Sequence, residues 1–332
     1  MNITFMIGNG FDISLGLKTK YSDFYPYFLA NADAENLLRK KLADLGDKAY
    51  VDWADLEGAL GVFTEEIFEV DYEKFVLDKI EMDDLLVDYL KGEQAKFVLD
   101  EGKVKKKMLR LIEEIRQNPN EKKKDFIKGV FEYYIPEDRT CRAISFNYTN
   151  CLDQYFAIGE KAGILRSYTR AYDKYTETIG GVFHIHGTLE DGEMILGVND
   201  EKQIRNAKMN QLLNVRRALI KPFLNEEIGQ NKIRKAKNII DNSGVICIYG
   251  MSIGDTDKMW WEYIGKWLLS SKYKALIIYN YDPKYSPGHS VRRLIHADQI
   301  KSNFMEKAGI PKDKREQAAE QIIVNDNINL FA

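Results

Sequence analysis

Ile3-Thr4-Phe5-Met6-Ile7-Gly8-Asn9-Gly10-Phe11-Asp12 is a largely apolar run that stops at a Gly-x-Gly turn. Branched and aromatic residues bounded by glycine read as a buried strand and the turn leaving it. The pattern recurs three times. Cys141-Arg142-Ala143-Ile144-Ser145-Phe146 leads into Asn147-Tyr148-Thr149-Asn150, Val182-Phe183-His184-Ile185-His186 into Gly187, and Val245-Ile246-Cys247-Ile248-Tyr249 into Gly250-Met251-Ser252-Ile253-Gly254-Asp255. Each run ends in small or hydrogen-bonding residues. In an open α/β sheet, ligands bind at the carboxyl edge of the strands. Four such ends in one chain point to a nucleotide site.

The rest of the chain fits that frame. Ala275 to Tyr279 reads as a further buried strand, Met194 to Val198 as another, and Ser290 to Ile300 as a helix. Residues 201–242 look helical. Strands alternating with helices predict a doubly wound, largely parallel, Rossmann-like sheet with right-handed crossovers. Between the first two strands lies a charged stretch poor in Gly and Pro. Leu56, Leu60 and Phe63 recur there at helical spacing, as do Met108, Leu111, Ile112 and Ile115. The expected organisation is an α/β core of residues 1–30 and 136–332 with a helical insertion at 31–135.

Composition excludes several classes. At 332 residues and 45% hydrophobic content, a sizeable core can form. The net charge of -3 gives no bulk support for nucleic-acid binding. Lys105 to Lys107 and Lys122 to Lys124 read as solvated faces. Cys141, Cys151 and Cys247 are too few and too scattered for a disulfide framework, which fits the cytoplasm. No apolar run reaches the roughly 18 residues of a membrane span. The first apolar run lacks a basic flank before it and meets a glycine turn after it, so it reads as a strand rather than a signal peptide.

The candidate residues admit more than one account. Gly8 and Gly10 let a chain turn sharply or let a phosphate approach the amides. Ile13 replaces the third glycine of a GxGxxG fingerprint, and no ribose-binding acid follows at the expected distance, which disfavours a dehydrogenase site. Asp12 either caps the next helix or faces a ligand. Asn147 can bond a sugar hydroxyl and a water together, or simply serve the turn. His184 and His186, two apart on a strand-like run, should share a face. No third ligand at metal spacing stands near them, so no metal is expected. The near-neutral pKa of an imidazole suits proton exchange. A hydrogen-bonded core histidine is the alternative, and the main reading for His184. Asp255 is expected to cap the helix carrying Trp260, Trp261, Ile264 and Leu268. Asp255 and Asp257 read as helix N-terminal acids, and the tryptophans as core.

Taken together, the IGNGFD opening, Tyr21-Ser22-Asp23-Phe24, Trp53-Ala54-Asp55-Leu56-Glu57, FNYTN, HIHG, ILGVND and YGMSIGDTD resemble the AbiH family of bacteriophage abortive-infection proteins. That family is similar to the sirtuin-like NAD-consuming domains of bacterial defence systems. The resemblance implies a sirtuin-like core with NAD or a related nucleotide as ligand and a phage-derived trigger. It leaves a homo-oligomer open and implies neither a metal nor a membrane partner. It marks Asn147 and His186 as catalytic. It marks Gly8, Asn9, Gly10, Asp12, Gly187, Gly250, Ser252 and Asn280 as nucleotide-binding. Glu57 either closes the pocket from the helical stretch or only forms a salt bridge. The paired cysteines of a sirtuin deacylase zinc module are absent. The implied reaction is then cleavage of the nicotinamide–ribose bond with water as acceptor, through an oxocarbenium-like transition state. A nucleotide-binding sensor without turnover is the alternative.

Overall fold

A computed structural model describes residues 1–45, 53–117, 121–134, 138–161, 163–170, 173–228, 231–281, 290–326 and 329–331. Pro136 and His289 lie outside the described residues, as does the side chain of Lys122. The chain begins with β1 (Asn2–Ile7), α1 (Gly10–Ser14), α2 (Tyr21–Asn31), α3 (Leu37–Leu45), α4 (Trp53–Phe63), α5 (Tyr72–Gln94), α6 (Glu101–Arg116) and α7 (Glu121–Tyr133). It continues through β2 (Arg139–Ser145), α8 (Cys151–Lys161), β3 (Ile164–Arg170) and β4 (Asp173–His184). Then follow α9 (Leu213–Leu219), α10 (Lys221–Glu227), α11 (Lys232–Asp241), β5 (Ser243–Tyr249) and α12 (Lys258–Leu269). The last elements are β6 (Ala275–Asn280), α13 (Ser290–Lys307), α14 (Arg315–Gln321) and β7 (Ile322–Asp326).

The strands form one sheet in the order β3-β4-β2-β1-β5-β6-β7. All neighbours pair in parallel except β3, an antiparallel edge hairpin on β4. Without that edge, the six parallel strands follow the doubly wound order, built outward from β1 to one side and then from β5 to the other. The predicted α/β class holds. Both faces are covered, which is why β1 and β5 read as near-continuous apolar runs. Phe5, Ile7 and Cys247 pack with α6, α7 and α8 on one face. Met6, Ile144, Ile246 and Ile248 pack with α11 and α12 on the other, together with Trp260, Trp261 and Trp267.

The helical stretch between β1 and β2 packs in two places. Helices α6 and α7 join the first face of the sheet. Helices α2 to α5 instead share a separate core with residues 189–220. That second core sits against the loops leaving the strands' carboxyl ends.

Three local expectations need correction. Met194 to Val198 forms no strand; only Val198 makes an isolated bridge, to Ile220. The segment instead folds back, with the Ile195 N–H donating to the His186 carbonyl at 2.9 Å. The strand expected to reach His186 ends at His184 and starts as far back as Asp173. Asp255 caps no helix: it lies in a short 3-10 turn before α12, and its carboxylate takes Lys307 at 2.7 Å.

Candidate functional site

The order of strands puts its reversal between β1 and β5, and the loops leaving those two strands meet there. A Cβ on Gly10 would lie 2.5 Å from the Gly250 Cα, and one on Gly8 would lie 2.8 Å from the Gly250 oxygen. Gly250 itself has φ +65°. The glycines are thus required by each other's backbone. Their amides are also occupied: Gly8 N–H donates to Tyr249 O at 3.0 Å, Gly10 N–H to Gly250 O at 2.8 Å and Phe11 N–H to Gly8 O at 3.0 Å. The expected phosphate cradle is therefore not built from these three amides. The Asn9 side chain is committed too, donating to Thr19 O at 2.8 Å and accepting from Thr19 Oγ1 at 2.5 Å.

Beside this crossing lies a cavity of about 260 Å³. Gly8, Asn9, Gly10 and Asp12 line it from the loop after β1 and from α1, and Asn147 from the loop after β2. His186 enters just beyond β4, and Gly250 and Ser252 after β5. Glu57 reaches in from α4, Lys221 from α10 and Asp257 from the turn before α12.

Asn147 and His186 are each only 5% exposed, yet no well-formed hydrogen bond satisfies the amide of Asn147 or either ring nitrogen of His186; the Asp12 and Asp257 carboxylates stand near them without good geometry. A buried polar group left unpaired costs about 1–3 kcal/mol. Two of them facing one cavity fit a place made for something polar. Phe146 packs edge-on against the His186 ring at 5.4 Å. Burial, and then the nearby Lys221 cation, lower the His186 pKa against the pull of Asp257, so the ring is neutral at pH 7. Its Nε2 lies 3.5 Å from Asp257 Oδ1.

Asp12 is 2% exposed. Its Oδ2 accepts from Thr149 Oγ1 at 2.8 Å, while Oδ1 has no partner. Burial pushes its carboxyl up to about 7, although Thr149 and Asn147 work the other way. Asp12 therefore lines the cavity and does not cap α1, whose N-cap is Asn9.

The two histidines do not act as a pair. His184 Nδ1 lies 3.1 Å from the Asn147 carbonyl and Nε2 lies 2.8 Å from Asp153 Oδ2. Burial alone would lower its pKa, but the Asp153 carboxylate overcomes that and raises it. His184 therefore braces the loop that presents Asn147. No cluster of metal-ligating side chains occurs among the described residues.

Two expected residues take other duties. Gly187 does not line the cavity; at φ +78°, a Cβ there would meet the Glu193 oxygen at 2.1 Å, so the room it leaves is filled by its own chain. Asn280 leaves the cavity altogether. It sits at the end of β6, one strand beyond β5, and donates to Asp326 Oδ1 of β7 at 3.3 Å.

Nothing in its sequence context marks Lys221, and Asp257 reads there as a helix-terminal acid. Lys221 Nζ donates to both Glu57 oxygens at 3.1 and 3.0 Å and to Asp257 Oδ1 at 3.0 Å. Burial, then Lys221 and Asp257 in opposite senses, leave the Glu57 pKa raised. Burial alone would raise the Asp257 pKa, but Lys221 and His186 together more than offset it and hold it well below the usual range. Glu57 thus does both things open to it, closing the cavity and forming an ion pair.

The family whose sequence profile matches residues 4–279 is described as "Bacteriophage abortive infection AbiH". The chain belongs to the AbiH family. The match runs from β1 to β6 and includes every cavity residue named above. This AbiH protein has no match among curated proteins. Among its described residues, no helix is long and apolar enough to cross a membrane.

Proposed function

We propose that this AbiH protein carries out abortive infection by hydrolysing NAD at the nicotinamide–ribose bond. The observation that carries the reading is the pair of buried side chains of Asn147 and His186, neither holding a well-formed hydrogen bond, in one cavity with Asp12. The charge pattern supports it. Asp12, Glu57 and Asp257 face the cavity, whose lining holds one buried cation among the described residues, Lys221. An acid-rich interior suits the positive charge that grows on the ribose ring as the bond breaks. It does not suit phosphate, so the pyrophosphate would lie toward the mouth, where Lys20 and the exposed Ser252 stand.

In this mechanism, the C1′–nitrogen bond breaks and its electron pair leaves with nicotinamide, whose ring becomes neutral. Water oxygen bonds to C1′. Asn147 and the neutral His186 hold the ribose hydroxyls and the water. Asp12, with a carboxyl titrating near 7, takes the water's proton. No Lewis acid is required, because the ring oxygen shares the positive charge.

The test is nicotinamide release from NAD by the purified protein, alone and with phage lysate, beside NAD binding by calorimetry. Release supports the hydrolase. Binding without release under both conditions would replace it with a nucleotide sensor.

A further inference from the structure

Next to the candidate cavity lies a second, much smaller void of about 10 Å³. His186, Lys221, Thr256 and Asp257 line both, so the two share a wall. Asn199, Pro222, Asn225 and Ile233 also line the void, and the same four line an open cleft between α10 and α11. The void therefore stands between the candidate cavity and solvent. His186 belongs to its inner side and Asn225 to its outer side.

Size and lining name the occupant. A void of about this volume admits one water and nothing larger, and a buried water needs roughly 2–4 polar partners. Asn225 is 3% exposed, and its Oδ1 has no hydrogen-bond partner among the described residues. The His186 ring, without a well-formed hydrogen bond, is the second such group. The other polar groups are engaged. Asn199 Oδ1 accepts from the Met259 N–H at 3.3 Å, its amide donates to Asp200 Oδ2 at 3.2 Å, and Asp257 Oδ1 takes Lys221. Lys221 and Asn225 are four apart on α10 and share a helix face. The helix that closes the cavity with Lys221 thus presents Asn225 to the void.

We propose that one water bridges Asn225 Oδ1 and the His186 ring, and that water reaches the reaction by this way while NAD occupies the mouth. The water site rests on the void alone; the route rests on the hydrolase reading. A dinucleotide lying across the mouth shuts out solvent, yet each turnover consumes one water. That water gives its oxygen to C1′ and a proton to Asp12, and is replaced from the cleft. The passage is too narrow for nicotinamide, which leaves by the mouth. Asn225 is a positioning residue, touching the water and not the substrate.

Asn225→Leu keeps the size of the side chain and removes the free oxygen. The Kd for NAD by calorimetry should be unchanged, while kcat for nicotinamide release falls about 10–10²-fold. Exchange of labelled nicotinamide into NAD breaks and remakes the same C1′–nitrogen bond and consumes no water, so its ratio to release should rise. A purely structural loss would lower both together. Ile233→Phe narrows the passage from the cleft side and should act likewise, which covers an Asn225→Leu protein that melts early. A high-resolution crystal structure should show one water between Asn225 and His186 in wild type and none in Asn225→Leu. An unchanged kcat in both variants, an equal fall in exchange and release, or a wild-type void without water would overturn the proposal. A wild type that neither releases nor exchanges nicotinamide, while its crystals hold the water, would overturn the hydrolase reading and the route but keep the water site.

Discussion

Asp12→Asn should make the protein more stable and less active. The carboxyl is buried, and its pKa is raised from the ordinary 3.8 to about 7. At about 1.4 kcal/mol per pKa unit, holding it ionised in the folded state costs up to about 4 kcal/mol. The sign follows from the raised value. Asp12 costs nothing below its unfolded pKa of 3.8, where both states are protonated. The cost grows as pH rises toward 7 and is constant above it. An asparagine is neutral throughout and still accepts from Thr149. Its amide nitrogen takes the place of an oxygen that has no partner, which gives part of the gain back. A net gain of about 2–4 kcal/mol at pH 8 remains, or about 3–6 °C in melting temperature for a chain of this size. At about pH 5 most of that advantage should be gone. Thermal melts at the two pH values measure it. Nicotinamide release should fall about 10²–10⁴-fold, as for loss of a general base. A variant less stable than wild type at pH 8, or equally advantaged at both pH values, would refute the argument.

Lys221→Met leaves Glu57 and Asp257 facing each other without their shared cation. Breaking such a buried set should cost about 3–5 kcal/mol, and adding Glu57→Gln should recover part of it in chemical denaturation. Asn147→Ala and His186→Ala should each cut nicotinamide release about 10²–10⁴-fold while keeping the melting temperature, since neither side chain holds a well-formed hydrogen bond. His184→Ala should cost stability instead. Its raised pKa contributes stability that is full below the ordinary 6.5 and lost as pH rises through the folded value, so the variant's deficit should shrink between about pH 5.5 and 8.5. EDTA should leave nicotinamide release unchanged; loss on chelation with recovery on added metal would favour a metal-dependent phosphoesterase.

Three stretches of strand leave little mark in the sequence, each for its own reason. β3 is an edge strand carrying Arg166, Ser167, Thr169 and Arg170, with no apolar run to mark it. The first half of β4 is hidden by Gly180-Gly181 and by a register shift against β2. β7 is short and follows a helix directly.

What the sequence determined by itself was the parallel sheet and the turns leaving β1, β2 and β5. A strand covered on both faces must be apolar along its length, and a tight turn must be small or polar, so both leave local marks. That placed Asp12, Asn147, His186, Gly250 and Ser252 within reach of one cavity. Only the tertiary structure decided which of those residues stay free. It gave Gly8 and Gly10 to the approach of Gly250, Gly187 to Glu193 and Asn280 to Asp326. It also brought together Glu57 and Lys221, 164 positions apart, with Asp257 a further 36 along the chain. A charge signals nothing about its partner over such distances. The pairing is set by how α4, α10 and the turn before α12 pack, and a lysine enclosed by two carboxylates reads in sequence like any lysine on a surface.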